Sequence, residues 1–392
     1  MILKNNYLQI FNKNLDSKNS GSIKFNLDKI KKLNEDYEDF KNEKNIKKII
    51  QATINYGIVP FSILARHAFI AENLLRSLVR LKIIDDRDIE NFKHSLETIT
   101  FKFILDCDLL SKNLMSFRNF KKTYGHLRPG TYDINSKNYS LFKKDFFVKK
   151  NINIKRKKIF TLKKSKIKKI ETILKRNNLN LNFSQFLTYL KNGIEAREYS
   201  KFIFTKNVDL ILKKISQIAK SKRLTKKQIS FLSVKDLTNP GFSKQSKNKL
   251  LGKIKTKEDD YKTNLNIKLP LLLIDSKGVD VIPFQVSSPN FIGNKKIISK
   301  IIYINNNTNL KRINLNHKIV LIENADPGFD WLFNFNIKGL ITKFGGANSH
   351  MSIRCNELKI PAAIGVGEKI FEDIRNNEHL ILNCALKKIE VN

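Results

Sequence analysis

The chain has 392 residues, and its 74 Lys and Arg against 36 Asp and Glu leave a formal net charge of +38. That length suffices for two or three domains with their own cores. Three cysteines at unrelated spacings exclude a disulfide scaffold and a cysteine metal site, and suit a reducing cytoplasm. The amino-terminal stretch lacks the apolar core of a signal peptide, and no run of about 18 apolar residues predicts a membrane span. The positive charge admits nucleic acid or an acidic surface as partner. Lysine, asparagine and isoleucine are abundant even in apolar-patterned stretches, however, and no zinc pattern, recognition helix or RNA-binding aromatic motif accompanies the lysines. Nucleic acid is therefore the weaker reading, and no membrane partner is expected.

From about Asp28 to Lys122 the pattern is helical. Phe61, Leu64, Ala65, Ala68, Phe69, Leu75, Leu78 and Val79 recur at three- and four-residue spacing, and Phe92, Leu96, Ile99, Phe103, Leu105 and Leu109 continue it. Arg66 and His67 fall inside the first of these helices and are read as packed or surface residues. The pattern breaks at Tyr124-Gly125-His126-Leu127-Arg128-Pro129-Gly130-Thr131-Tyr132-Asp133-Ile134, a turn fixed by two glycines and a proline. An imidazole, two phenols, a guanidinium and a carboxylate are packed into it. Polar groups satisfying one another within a loop would also account for them.

Residues 143–178 hold a lysine-rich block that reads as a solvated connector entering a helix. A long amphipathic helix is predicted from Ser184 to about Lys220. Within it Arg197 and Lys201 stand four residues apart and share a face. Like charges at that spacing are mildly unfavourable, so either an anion lies between them or Glu195 and Glu198 neutralise them on an exposed surface. Further helix is expected over 225–263, and a hairpin over 269–286 around Asp275-Ser276-Lys277-Gly278. From Phe291 onward short strands alternate with short helices, with Asp326-Pro327-Gly328 capping one that holds Trp331.

The densest chemistry lies at Ile341-Thr342-Lys343-Phe344-Gly345-Gly346-Ala347-Asn348-Ser349-His350-Met351-Ser352-Ile353-Arg354. A strand enters a glycine pair, Ser349 is placed to cap a helix, and His350 opens that helix. Unpaired N–H groups and the positive end of the helix dipole would stabilise a phosphoryl group carried there. Arg354 follows four residues later on the same face and can reach the same anion.

This segment resembles the phosphohistidine (swivelling, mobile) domain of the PEP-utilising enzymes, which include pyruvate phosphate dikinase, PEP synthase and rifampin phosphotransferase. Their signature runs T-x-x-G-G-x-x-S-H, an Arg one turn later, then I-P-A-x-x-G. Thr342, Gly345, Gly346, Ser349, His350, Arg354, Ile360, Pro361, Ala362 and Gly365 match it, while Met351 stands where the family has a small residue. The 124–134 turn is similar to a stretch in the middle domain of the rifampin phosphotransferase-like dikinases. The Arg197–Lys201 helix is similar to one at their acceptor site.

The resemblance implies an α+β multidomain chain, with a mostly helical acceptor-binding domain over 1–265. A β-hairpin linker over 266–290 and a small α/β phosphohistidine domain over 291–392 would follow. It implies a phosphotransferase of the rifampin phosphotransferase, PEP synthase or glutamine kinase type, with His350 as carrier. Thr342, Gly345, Gly346, Ser349, Arg354, Arg197 and Lys201 would bind the phosphate. His126 would take the acceptor's proton, with Arg128 and Asp133 orienting the acceptor. Neither an ATP-grasp region nor a P-loop is found, so ATP and Mg2+ are expected on a separate ATP-grasp polypeptide, with no metal ligands here. Too few residues follow His350 for a PEP-binding barrel of about 250 residues. A phosphocarrier without turnover, or an inactive remnant, would share these motifs. The acceptor is a small molecule that the sequence does not name.

Overall fold

The computed structural model describes residues 18–148, 159–179, 181–265, 288–305, 308, 313–347 and 349–391. The hairpin expected over 269–286 and the lysines at 149–158 lie outside them. The chain is α+β, and its contacts divide it into two compact units, one of residues 1–126 and 142–211, the other of 127–141 and 212–392. This division differs from the sequence boundaries at 265 and 290, because 127–141 and the helices after 211 cluster with the carboxy-terminal sheet.

The first unit is helical, with α1 (Ile23–Glu35), α2 (Tyr37–Asn42), α3 (Ile46–Thr53), α4 (Val59–Arg80), α5 (Asp86–His94), α6 (Ile99–Ser111), α7 (Phe117–Tyr124), α8 (Lys164–Arg176) and most of α9 (Phe183–Ser221). Side-chain caps mark the starts: Ser22, Asn45, Thr98 and Ser116 each accept a backbone N–H one turn in, and Asp85 and Asp88 form a capping box. The apolar stripe of α4 is divided between two cores. Ile70, Ala71, Leu75 and Leu78 pack with Phe92, Leu96, Phe186 and Leu190, whereas Leu64 joins Ile30, Leu33, Ile49, Ile203 and Phe204. The run Ile46–Arg80 is long and apolar enough to cross a membrane by length and composition, and its inner face forms these cores. His67 is buried, with its ring nitrogens 3.0 Å from the Tyr189 hydroxyl and 2.8 Å from the Gly21 carbonyl. It is a packed residue, and burial lowers its pKa.

The second unit continues through α10 (Lys226–Ser230), α11 (Val234–Leu237) and α12 (Lys247–Leu265) to a seven-stranded sheet. Its strands are β1 (Asn290–Ile292), β2 (Lys296–Ile304), β3 (Ile319–Asn324), β4 (Gly339–Phe344), β5 (Ala362–Ile364), β6 (His379–Asn383) and β7 (Lys388–Val391). They lie in the order β1-β5-β4-β3-β2-β6-β7, with β2, β3, β4 and β5 parallel and the edges antiparallel. Strands buried on both faces read as continuous apolar runs, as in Ile319-Val320-Leu321-Ile322. Alternate residues Ile319, Leu321, Ile341 and Ala363 pack on Phe371 and Ile374 of α14 (Glu368–Arg375). The opposite side carries α13 (His350–Glu357), which packs on β5, β1 and the 3-10 turn Pro327–Asn334. The three cysteines are buried thiols that form no disulfide among the described residues.

Candidate functional site

The carboxyl end of β4 delivers the chain into the glycine pair. Gly345 has φ +141, and a β-carbon there would lie 2.6 Å from that of Ala325. Gly365, with φ +73, runs so close that a β-carbon on it would lie 2.2 Å from the Gly345 carbonyl oxygen. Only glycine fits two backbones at this separation with a left-handed φ. Gly365→Ala is expected to cost at least about 1–3 kcal/mol from conformation alone. Thermal unfolding of the full chain should show a midpoint several degrees lower, and an unchanged midpoint would remove the tight approach as a constraint. Gly346, by contrast, faces open space, with no atom within 4 Å of a β-carbon built on it.

Thr342 is fully buried, and its Oγ1 accepts the Gly365 N–H at 3.0 Å. Its carbonyl takes the Gly365 and Val366 N–H groups, both at 3.0 Å. The signature threonine thus ties the β5 exit to the glycine turn. Ser349 caps α13: its Oγ accepts from Ser352 at 3.3 Å, and its own N–H reaches the Gly346 carbonyl at 2.9 Å. Met351, the departure from the signature, points inward and is fully buried.

His350 and Arg354 lie together at one end of the site. The His350 Nε2 is 2.7 Å from the Asp330 Oδ1, and the His350 side chain is 11% exposed. Arg354, buried at 1% exposure, donates from Nη1 to Glu357 at 2.8 Å and sets its guanidinium 5.2 Å from the Phe333 ring centre. Its Nε and Nη2 are buried and find no hydrogen-bond partner among the described residues. Asp330 Oδ1 approaches Nε only to 3.7 Å, too far for a hydrogen bond. A buried guanidinium with two unused donors, beside a histidine, is a place where an anion would be held strongly.

Asp330 and Glu357 were not singled out from the sequence. The signal for Asp330 is an acid enclosed in Phe329-Asp330-Trp331-Leu332-Phe333, since a carboxylate inside an apolar run needs a partner.

The remaining predicted residues fall in two places. His126, Arg197 and Lys201 belong to the helical unit, and Arg128 and Asp133 to the unit that holds His350. The His126 Nε2 lies 3.1 Å from the Phe202 carbonyl, with the ring edge-on to Phe202. Arg197 places its guanidinium 5.2 Å from the Phe69 ring centre. Of the acids that might neutralise it and Lys201, Glu195 accepts the Glu97 N–H at 2.5 Å, and Glu198 accepts from Thr100 at 3.3 Å. Arg128 donates from Nη1 to the Asp133 and Ser136 carbonyls at 3.1 and 3.2 Å, and Asp133 accepts from the Asn135 N–H and the Ser136 hydroxyl. Both are bound into the turn.

The turn itself docks on the 3-10 turn that carries Asp330. The Tyr139 hydroxyl donates to the Gly328 carbonyl at 3.0 Å, and the Thr131 hydroxyl lies 3.4 Å from Asp326 Oδ1. Among the described residues no group of three His, Cys, Asp or Glu could hold a metal ion.

Residues 315–386 match the family model described as PEP-utilising enzyme, mobile domain. The chain is also 35% identical over 81 residues to the phosphoenolpyruvate-protein phosphotransferase of Buchnera aphidicola subsp. Acyrthosiphon pisum. That match covers 20% of this chain and 14% of the relative, so the chain spans about a seventh of the relative's length. Both likenesses are confined to the carboxy-terminal region, where residues 315–386 are similar to the mobile domain of the PEP-utilising enzymes.

Proposed function

We propose that this chain carries a phosphoryl group on His350 and passes it to a small-molecule acceptor in the helical unit. The observation that carries this reading is the pair of buried, unused donors on Arg354 next to the His350 ring. Phosphoryl transfer asks for positioning and charge neutralisation more than for covalent chemistry by the protein. Arg354 supplies the cation and the α13 amino terminus supplies backbone N–H groups. Gly346, which faces open space, leaves room for the donor, and Thr342 keeps the glycine turn in shape. Arg197 and Lys201 clamp the phosphoryl group at the acceptor, and His126 takes the acceptor's proton. Arg128 and Asp133 set the turn that follows His126.

ATP, bound with Mg2+ on an ATP-grasp partner, is the donor in this reading. The similarity to a phosphoenolpyruvate-protein phosphotransferase favours phosphoenolpyruvate as the second candidate. The test is to incubate the full chain with β-labelled ATP and its ATP-grasp partner, and separately with labelled phosphoenolpyruvate. An acid-labile, base-stable label is expected from one donor. Absence of label from both would overturn the reading.

The acceptor half is tested separately. Lys201→Ala should leave His350 labelling intact and lower onward transfer by about 10²- to 10³-fold, the usual cost of losing one transition-state donor. A variant that transfers at the wild-type rate would return Arg197 and Lys201 to the surface of an ordinary lysine-rich helix.

A further inference from the structure

Asp330 is a buried carboxylate, 5% exposed, placed between the two groups that would meet a phosphoryl group. Its Oδ1 is 2.7 Å from the His350 Nε2 and 3.7 Å from the Arg354 Nε. A carboxylate oxygen accepts, so Nε2 is the protonated ring nitrogen in this state. Among the described residues, Asp330 on the 3-10 turn meets the ring, and Arg354 of α13, itself paired with Glu357, approaches the same carboxylate. The Cys355 thiol behind them is kept protonated by complete burial. β1 and β5, which also pack on α13, contribute no ionisable side chain. Glu357 pairs with Arg354 through Nη1 only, so Asp330 is the negative charge that faces the His350 ring and the unused Nε side of the guanidinium.

We propose that the Asp330 carboxylate is a placeholder for the phosphoryl group, filling its position while His350 is unmodified and being displaced when His350 is phosphorylated; this rests on the phosphocarrier reading. In that step Nε2 loses its proton to Asp330 and thence to water. Its lone pair forms the N–P bond as the donor's P–O bond breaks, and the bonding pair leaves on the donor oxygen. A phosphoryl group on Nε2 and the Asp330 carboxylate cannot share one position as like charges. Three phosphoryl oxygens also offer Arg354 Nε and Nη2 the acceptors that one carboxylate oxygen at 3.7 Å does not. Asp330 is therefore a positioning residue for the ring at rest, and its departure opens the phosphate site.

The experiment titrates the unmodified full chain with inorganic phosphate and follows the emission of Trp331, the single tryptophan, buried beside Asp330. Wild type should bind weakly. Asp330→Ala should bind at least about tenfold more tightly, since it removes a like charge at contact distance. Adding Arg354→Ala should abolish the gain. Asp330→Asn, which keeps the shape, should show a smaller gain and decides the matter if the alanine variant does not fold. In wild type, full labelling of His350 should shift the Trp331 emission. A folded Asp330 variant with no gain in affinity, or an emission unmoved by labelling, overturns the placeholder and leaves the carrier reading intact. If wild type never labels, the carrier reading fails, and the phosphate titration still decides whether Asp330 occupies an anion site.

Discussion

His350→Ala and His350→Gln should both take up no label above background under conditions that label the wild-type chain fully. The argument is local: no other histidine in the sequence follows a glycine pair and a capping serine at a helix start. The glutamine variant keeps a polar side chain of similar reach toward Asp330 and separates loss of the nucleophile from loss of the contact. The thermal midpoint should fall less in the glutamine variant than in the alanine variant, because the latter leaves the buried Asp330 carboxylate without its 2.7 Å partner. Label appearing on either variant at the wild-type level would move the phosphoryl site elsewhere.

The second large effect is expected at Arg354. Its side chain is 2% exposed, pairs with Glu357, 15% exposed, and lies 3.7 Å from Asp330, 7% exposed. Arg354→Ala removes the cation and leaves the enclosed Glu357 carboxylate without its 2.8 Å partner, a class of change that costs about 3–5 kcal/mol. Where the variant remains folded, His350 labelling should slow by about 10²- to 10³-fold. Arg354→Lys keeps the charge but not the planar fork, so it should recover part of the stability and less of the rate. Denaturant midpoints and labelling time courses on the three proteins provide the check. An alanine variant that keeps wild-type values in both would show that the guanidinium neither holds the fold nor meets phosphate.

What could be read from the sequence follows the range of the forces involved. The long helix expected from Ser184 to Lys220 is found at Phe183–Ser221, because an apolar stripe sustained over many turns is a local signal. The glycine pair, the Ser349 cap and the placement of His350 and Arg354 on α13 were legible for the same reason. Asp330 was not, since its pairing with His350 is decided by how β3, the 3-10 turn and β4 fold back on one another. The fate of Thr342 was hidden too: only the approach of Gly365 shows that its hydroxyl is tied to backbone. Arg128 and Asp133 were read as chemistry because of their types. Their partners, the Asp133 and Ser136 carbonyls and the Asn135 N–H, are invisible to a motif.

The docking of the 127–141 turn on Gly328 also sets a schedule for synthesis. A β-carbon on Gly328 would sit 2.0 Å from the Arg128 carbonyl oxygen, so the two segments meet backbone to backbone. Tyr139 and Gly328 are nevertheless 189 residues apart in the chain. At about 5–20 residues per second, a ribosome would leave the turn waiting roughly 10–40 s for the shelf it rests on. During that interval the buried faces of Tyr139 and Arg128 stand open to water or to chaperones, while the first helices are already free to collapse. Late closure of so distant a contact makes this turn a slow step in maturation, and a point at which premature termination would leave an unfinished, adhesive surface.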